Sequence, residues 1–293
     1  ASDITGDYTA GVGTNNGTSL DIDGAIPDQI AQYETAFTGE GDYNAQINWN
    51  GINGEDPPTD GVGPVGAQII VRNGDTLNLN VSNIRLFSTE IELGATLVVP
   101  TGVNNIRLGN VSGSGTIVLQ DNELLPTGEY SDFLACDGGA LQYSGSSTYS
   151  VLSGISQIRK VVFEGSGTRN MPNSALAVCD TLIVNGPTVA FDAGVTYNIG
   201  DADTDLLLIE DGVVSITNGS TLNVTGDVSF EGGTFTGLTG TSMQITDDLS
   251  YSGGTLDWNG TTVSLLGTSS QLIDGSFTGS GTFDDLVINN TST

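Results

Sequence analysis

Val228-Ser229-Phe230-Glu231-Gly232-Gly233-Thr234-Phe235 returns as Leu249-Ser250-Tyr251-Ser252-Gly253-Gly254-Thr255-Leu256, and more loosely as Gln271-Leu272-Ile273-Asp274-Gly275-Ser276-Phe277. Aligning Phe230, Tyr251 and Leu272 gives steps of 21 residues, and Phe235, Leu256 and Phe277 give the same step. Such a period, built of short alternating strands broken by glycine pairs, marks a β-solenoid. Each repeat there buries its apolar face only against its neighbours. The expected fold is all-β: a parallel β-helix of about 21 residues per rung, in the usual right-handed sense.

A second phrase, Gly-x-Thr followed by apolar residues at alternate positions, supports this. It occurs as Gly74-Asp75-Thr76-Leu77-Asn78-Leu79, Gly94-Ala95-Thr96-Leu97-Val98-Val99, Gly194-Val195-Thr196-Tyr197-Asn198-Ile199, Gly219-Ser220-Thr221-Leu222-Asn223-Val224 and Gly260-Thr261-Thr262-Val263-Ser264-Leu265. The spacings of 20, 100, 25 and 41 lie close to one, five, one and two periods. Glycine turns the corner and the alternate apolar residues point inward. About eleven rungs would make a rod roughly 50 Å long.

Residues 1–65 do not follow the repeat. Within Ile26–Phe37 the apolar groups fall at i, i+4, i+7 and i+11, one face of a short α-helix, with Pro27 at its first position and Gly39 at its end. This segment and its Trp49 neighbour are expected to form an N-terminal cap over the open end of the solenoid. Residues 66–293 are then the β-helix, with irregular inserted loops within about 120–175.

Six basic residues face 35 acidic ones, histidine is absent, and the formal charge is −29. A surface this acidic repels nucleic acid and anionic membrane. It suits a soluble secreted β-protein, and no apolar run is long enough for a membrane helix. The chain starts at Ala1, as a mature protein does after loss of a signal peptide, or one cut from a longer chain. At the other end a strand runs directly into Asn289–Thr293 with no capping helix, so the natural protein is expected to continue.

Chemistry-bearing groups are few. Asp201, Asp203 and Asp205 alternate as carboxylates do around calcium, or they form an acidic turn between rungs. Asp247-Asp248 and Asp284-Asp285 are weaker acidic pairs. Without histidine, nucleophilic triads and zinc sites are excluded, and no other cofactor is called for. A lyase needs a cationic group beside calcium, yet the six basic residues are scattered over several rungs. Cys136 and Cys179, 43 apart, would stand two rungs and roughly 9–10 Å from each other in a regular solenoid, too far for a disulfide. An inserted loop would bring them together, so a bridge and two buried thiols both remain open. Among the aromatics, Phe230, Tyr251, Phe235, Phe277 and Trp258 fall in register with core aliphatics. Trp49, between Asn48 and Asn50, is the candidate for stacking on a ligand.

The phrases Gly233-Thr-Phe-Thr-Gly237, Ser269-Ser-Gln-Leu-Ile-Asp-Gly275 and Gly281-Thr-Phe-Asp-Asp-Leu-Val-Ile-Asn-Asn290 resemble the β-helical repeat regions of large secreted surface proteins of Bacteroidota exported by the type IX system. The resemblance covers roughly 190–290 and carries no catalytic motif. It implies export, a cell-surface location, and adhesion or scaffolding. Asp75-Thr76-Leu77 and Asp180-Thr181-Leu182 also look like that phylum's O-glycosylation motif, which would modify Thr76 and Thr181. The expectation is a non-catalytic extracellular stalk or fibre segment of an adhesin. It would join further domains or copies through its last rung, and would contact glycans or other surface components. The alternative is a carbohydrate-active β-helix that binds or cleaves an extracellular polysaccharide.

Overall fold

Short parallel strands stack rung upon rung in the computed structural model, which describes residues 13–15, 18–20 and 30–291. Among these the chain is a β-solenoid with almost no helix: only Gln46–Asn48 and Gly279–Gly281 form single 3₁₀ turns. The spine is an eleven-stranded sheet running from Gly39–Asp42 to Ile273–Gly275. Thr76, Thr96, Thr116, Ala140 and Lys160 form one column of it, at steps of 20, 20, 24 and 20 residues. The neighbouring column continues as Val161, Leu182, Leu207, Val228, Leu249 and Ile273, at steps of 21, 25, 21, 21 and 24. The stack is about ten turns, or about 48 Å at ~4.8 Å per rung.

The other faces change partway along. A six-stranded sheet accompanies the first rungs and ends at Thr127–Glu129. Two further sheets then begin at Tyr149–Ser150 and Gln157–Ile158, giving later rungs three strands each. The Gly-x-Thr phrase therefore marks two different corners. Thr76 and Thr96 stand on the long sheet, whereas Thr196, Thr221 and Thr262 stand on the seven-stranded sheet, with Ser242 filling the rung between the last two. On both, the alternate apolar residues point inward: Leu77, Leu79, Leu97, Val99, Tyr197, Ile199, Leu222, Val224, Val263 and Leu265 are all buried. Each such side chain contributes roughly 1.5–3 kcal/mol by leaving water. Phe230, Phe235 and Trp258 pack mutually inside this column.

Among the described residues one basic side chain is buried in the core. Arg169, in register between Tyr149 and Val189, is fully buried. Its guanidinium lies 4.4 Å over the Tyr149 ring. Nη1 donates to the Ser147 carbonyl at 2.5 Å, and Nη2 to the carbonyls of Gly145 and Glu164 at 3.0 and 3.2 Å. The guanidinium thus satisfies corner carbonyls from two rungs, where an aliphatic side chain would leave them bare.

Three readings differ from the structure. The helix over Ile26–Phe37 is not formed in its described part: Gln32–Thr35 is a strand, antiparallel to Trp49–Gly51 and parallel to Gln68–Val71. Ladder bonds on both sides outweigh the weak helical preference of so short a segment, and residues 26–29 lie outside the described residues. Gly39–Asp42 likewise joins the long sheet beside Asp75–Asn78, so the solenoid's ladders reach back into residues 1–65. The third copy of the opening phrase is also out of step. Tyr251 pairs with Gly275, not Leu272, because the turn at 266–271 inserts three residues. Gln271 fills that turn, accepting from the Gly267 amide and donating to the carbonyls of Ile245 and Asp247, while Leu272 is left exposed.

Candidate functional site

The four-residue excess in the step from Thr116 to Ala140 lies within 121–139 and carries Cys136 outward. Ala140 and Lys160 resume the regular step, so this insertion ends before Ala140. Cys136 loops over the intervening rung to Cys179, and the two form a disulfide with Cα atoms 5.3 Å apart. Beneath it Arg159 ties the same corner: Nε donates to the Gly138 carbonyl at 2.7 Å, Nη2 to the Ser114 carbonyl at 3.1 Å, and Nη1 reaches the Asp180 carboxylate at 3.4 Å. One covalent and one ionic clamp therefore span the place where the cross-section changes.

Asp201, Asp203 and Asp205 occupy the other long insertion, the 25-residue step between Leu182 and Leu207. They do not gather round one point. Asp205 is buried and its Oδ2 accepts from the amides of Asp201 and Ala202, both at 2.7 Å, so it caps the turn. Asp201 and Asp203 stay exposed. The carboxylates that do converge are Asp227, Asp247 and Asp248, with one oxygen each within 4.8 Å of the others. Asp227 and Asp248 occupy the same column on successive rungs, since Val228 pairs with Leu249. Partial burial, then the charges of Asp227, Asp248 and Asp203, hold the Asp247 carboxyl above the usual carboxylate range. Asp227 and Asp248 also accept backbone amides, from Asp248 and Leu272. Such a cluster offers oxygen ligands to a hard cation, or an acid beside a base. The separated pair Asp284-Asp285 does neither: Asp284 accepts the Gly260 amide and Asp285 the Thr262 hydroxyl.

Trp49 is not available to stack on a ligand. It is 2% exposed, packs edge-on against Tyr43 with centroids 5.7 Å apart, and donates its indole N–H to the Tyr43 carbonyl. The Tyr43 hydroxyl in turn donates to the Pro64 carbonyl. Thr76 and Thr181 are half-buried in strands of the long sheet. Asp75 is buried against the Thr35 hydroxyl, and the Thr181 hydroxyl donates to Asp180.

Ile273–Gly275, Thr255–Asp257 and Asp285–Ile288 each terminate a sheet with one edge unpaired among the described residues. Phe277 and Phe283 stack at 4.9 Å over Trp258 and stay only partly buried, while Val287 and Ile288 are exposed. No described helix is long and apolar enough to cross a membrane.

The groupings that sequence reasoning missed share one feature: their members lie about one period apart. Asp227 and Asp248 are 21 apart, and Arg85 and Arg107, which also face each other, are 22 apart. Reading charge at the solenoid period would have found both. Compared with protein-family models, curated protein sequences and solved structures, the chain matches none.

Proposed function

We propose that the chain is a non-catalytic, extracellular structural segment, a stiff β-helical stalk or fibre unit of a bacterial surface adhesin. The observation that carries this reading is the last rung, where three strands each keep one edge without a hydrogen-bonded strand among the described residues, over a partly covered Phe277–Phe283 stack. Unpaired edges of this kind pair with a further strand, from a continuing solenoid or another chain. The Cys136–Cys179 bridge supports an oxidising, extracellular setting. The high negative charge supports solubility there without nucleic-acid or membrane partners.

Electron cryomicroscopy of the protein from its native source tests this directly. Density continuing from Leu286–Ile288 into another rung or chain is the expected outcome. A closed last rung, together with sugar bound in a side cleft, would refute it. The Asp227–Asp247–Asp248 cluster favours a second reading, a carbohydrate-active β-helix with Asp247 as the acid. Release of reducing or unsaturated ends from a polysaccharide panel, lost in Asp247→Asn, would establish that reading instead.

A further inference from the structure

Four of the six basic residues have a place in holding the fold or its main face. Arg72 bridges Glu34 and Glu92, Arg159 ties the disulfide corner, Arg169 is buried, and Lys160 lies half-buried on the long sheet. Arg85 and Arg107 are different. Both are exposed, and they stand directly opposite each other across a parallel bridge on adjacent rungs. Neither forms an ion pair among the described residues. Arg85 donates only to the Asn105 side chain, at 3.2 Å. Like charges facing each other at ~4.8 Å destabilise a sheet. Although the chain has 35 acidic residues, no carboxylate among the described residues forms an ion pair with either arginine to offset the repulsion, and Glu129 lines the same groove without doing so.

We propose that this pair is the floor of a binding site for an anionic saccharide, a sugar ring bearing a carboxylate or sulfate. Three features of the groove fit that ligand. Guanidinium forks on neighbouring rungs match the paired oxygens of such a group. Phe87, between Arg85 and the next strand, is 53% exposed while its neighbour Leu86 is buried, so an aromatic face lies beside the charges for the apolar face of a pyranose. Gly109, at φ +69°, lines the groove with no side chain of its own, and a Cβ there would lie 1.8 Å from the Phe87 carbonyl oxygen, so this close approach of the two rungs admits only glycine. The resulting groove has a volume of about 420 Å³, and Thr127 and Asn110 add polar groups for ring hydroxyls. Glu129 is the one carboxylate among its lining residues and makes no ion pair there. An acidic peptide would satisfy the arginines but would make no particular use of Phe87. The remaining negative surface acts mainly on encounter, because salt screens charges beyond ~8 Å.

This site lies on the side of the rod and does not depend on what the last rung contacts. Isothermal titration of the whole chain with oligogalacturonate, a sulfated carrageenan oligosaccharide, a neutral cello-oligosaccharide and oligoglutamate tests it. The expected result is binding of at least one acidic oligosaccharide and not of the neutral one. Affinity should fall roughly tenfold in Arg85→Gln or Arg107→Gln and several-fold in Phe87→Ser. Lys160→Gln should leave it unchanged, and added salt should weaken it. All three groove side chains are exposed, so thermal melts of the arginine variants should match or slightly exceed the parent, and that of Phe87→Ser should stay close to it. Absence of binding to both acidic oligosaccharides at ~1 mM, or affinities indifferent to the arginine substitutions, would overturn the proposal. So would oligoglutamate binding as tightly as the saccharides with Phe87→Ser without effect, which would identify an acidic-peptide site.

Discussion

Removing the disulfide should destabilise the chain by an amount that follows from its topology. Cys136 and Cys179 are 43 residues apart in sequence, and the bridge closes that segment in the unfolded chain as well as the folded one. The loop-closure entropy of a segment of this length corresponds to about 4 kcal/mol at 25 °C. Spread over the unfolding entropy of a chain this size, that is a fall in Tm of about 6 °C if the solenoid melts as one unit. The perturbation is Cys136→Ala with Cys179→Ala, with the reduced and alkylated native chain as a second comparison, because Cys179 is buried and its truncation also removes packing. Differential scanning calorimetry reads the Tm. Tryptophan fluorescence follows Trp49 and Trp258, which sit in the core toward opposite ends and far from the bridge. A repeat array whose cooperativity fails would instead show the loss locally, as faster amide exchange in the rungs between Ala140 and Asn185. A Tm shift under about 1 °C, with exchange in those rungs unchanged, would refute the reasoning, since neither the unfolded ensemble nor the local rungs would then feel the cross-link.

Other expectations follow from single side chains. Asp247 takes up a proton more readily folded than unfolded, so its charge costs stability near neutral pH, and the cost disappears as pH falls through its raised folded-state pKa. Asp247→Asn should therefore stabilise by roughly 0.2–1 kcal/mol near pH 7 and give no gain below about pH 3, as urea denaturation at the two pH values would show. Arg169→Ala should cost about 3 kcal/mol in the same assay, because it empties a buried site and strands the corner carbonyls that the guanidinium satisfies. Asp205→Ala removes the acceptor for two turn amides and should cost about 1–2 kcal/mol, with faster exchange confined to residues 201–205. Gly109→Ala, at a positive φ and against the Phe87 carbonyl, should lower Tm by several degrees, corresponding to about 2 kcal/mol or more.

The solenoid was legible because its period is carried by backbone requirements. Gly74, Gly94, Gly194, Gly219 and Gly260 all adopt positive φ, and each is followed by residues whose inward parity is fixed by the pleat. What such a phrase does not say is which face it opens, so the same words served both the long sheet and the seven-stranded one. Register failed where a turn hid an insertion. Gln271 and Leu272 look like a continuation of the Tyr251 column, and only the hydrogen bonds of the 266–271 turn displace them. Trp49 misled for a different reason. Its asparagine neighbours are polar and exposed or half-exposed as expected, but a strand alternates, and the indole between them points the other way into the core. Asp201, Asp203 and Asp205 were conspicuous because they are close in sequence. Once the chain stacks, closeness in sequence matters less than closeness along the rod axis.

That shift of axis governs how the surface of such a protein should be interpreted. Residues one period apart become neighbours at ~4.8 Å, so every outward column is a ladder of facing side chains whose compatibility is tested directly. An acidic ladder such as Asp227 over Asp248 is what 35 carboxylates in 293 residues readily produce, and it is relieved by the backbone amides each accepts and by the raised proton affinity of Asp247. A basic ladder is another matter. With only six basic residues in the chain, Arg85 stands over Arg107, and among the described residues neither forms an ion pair. Guanidinium cannot shed its proton to relieve the repulsion as Asp247 can accept one. Water and salt screen part of that repulsion, and an anion from outside the chain would relieve the rest. The side face around Phe87, rather than the acidic turns, is therefore where this rod has chemistry left over for a ligand.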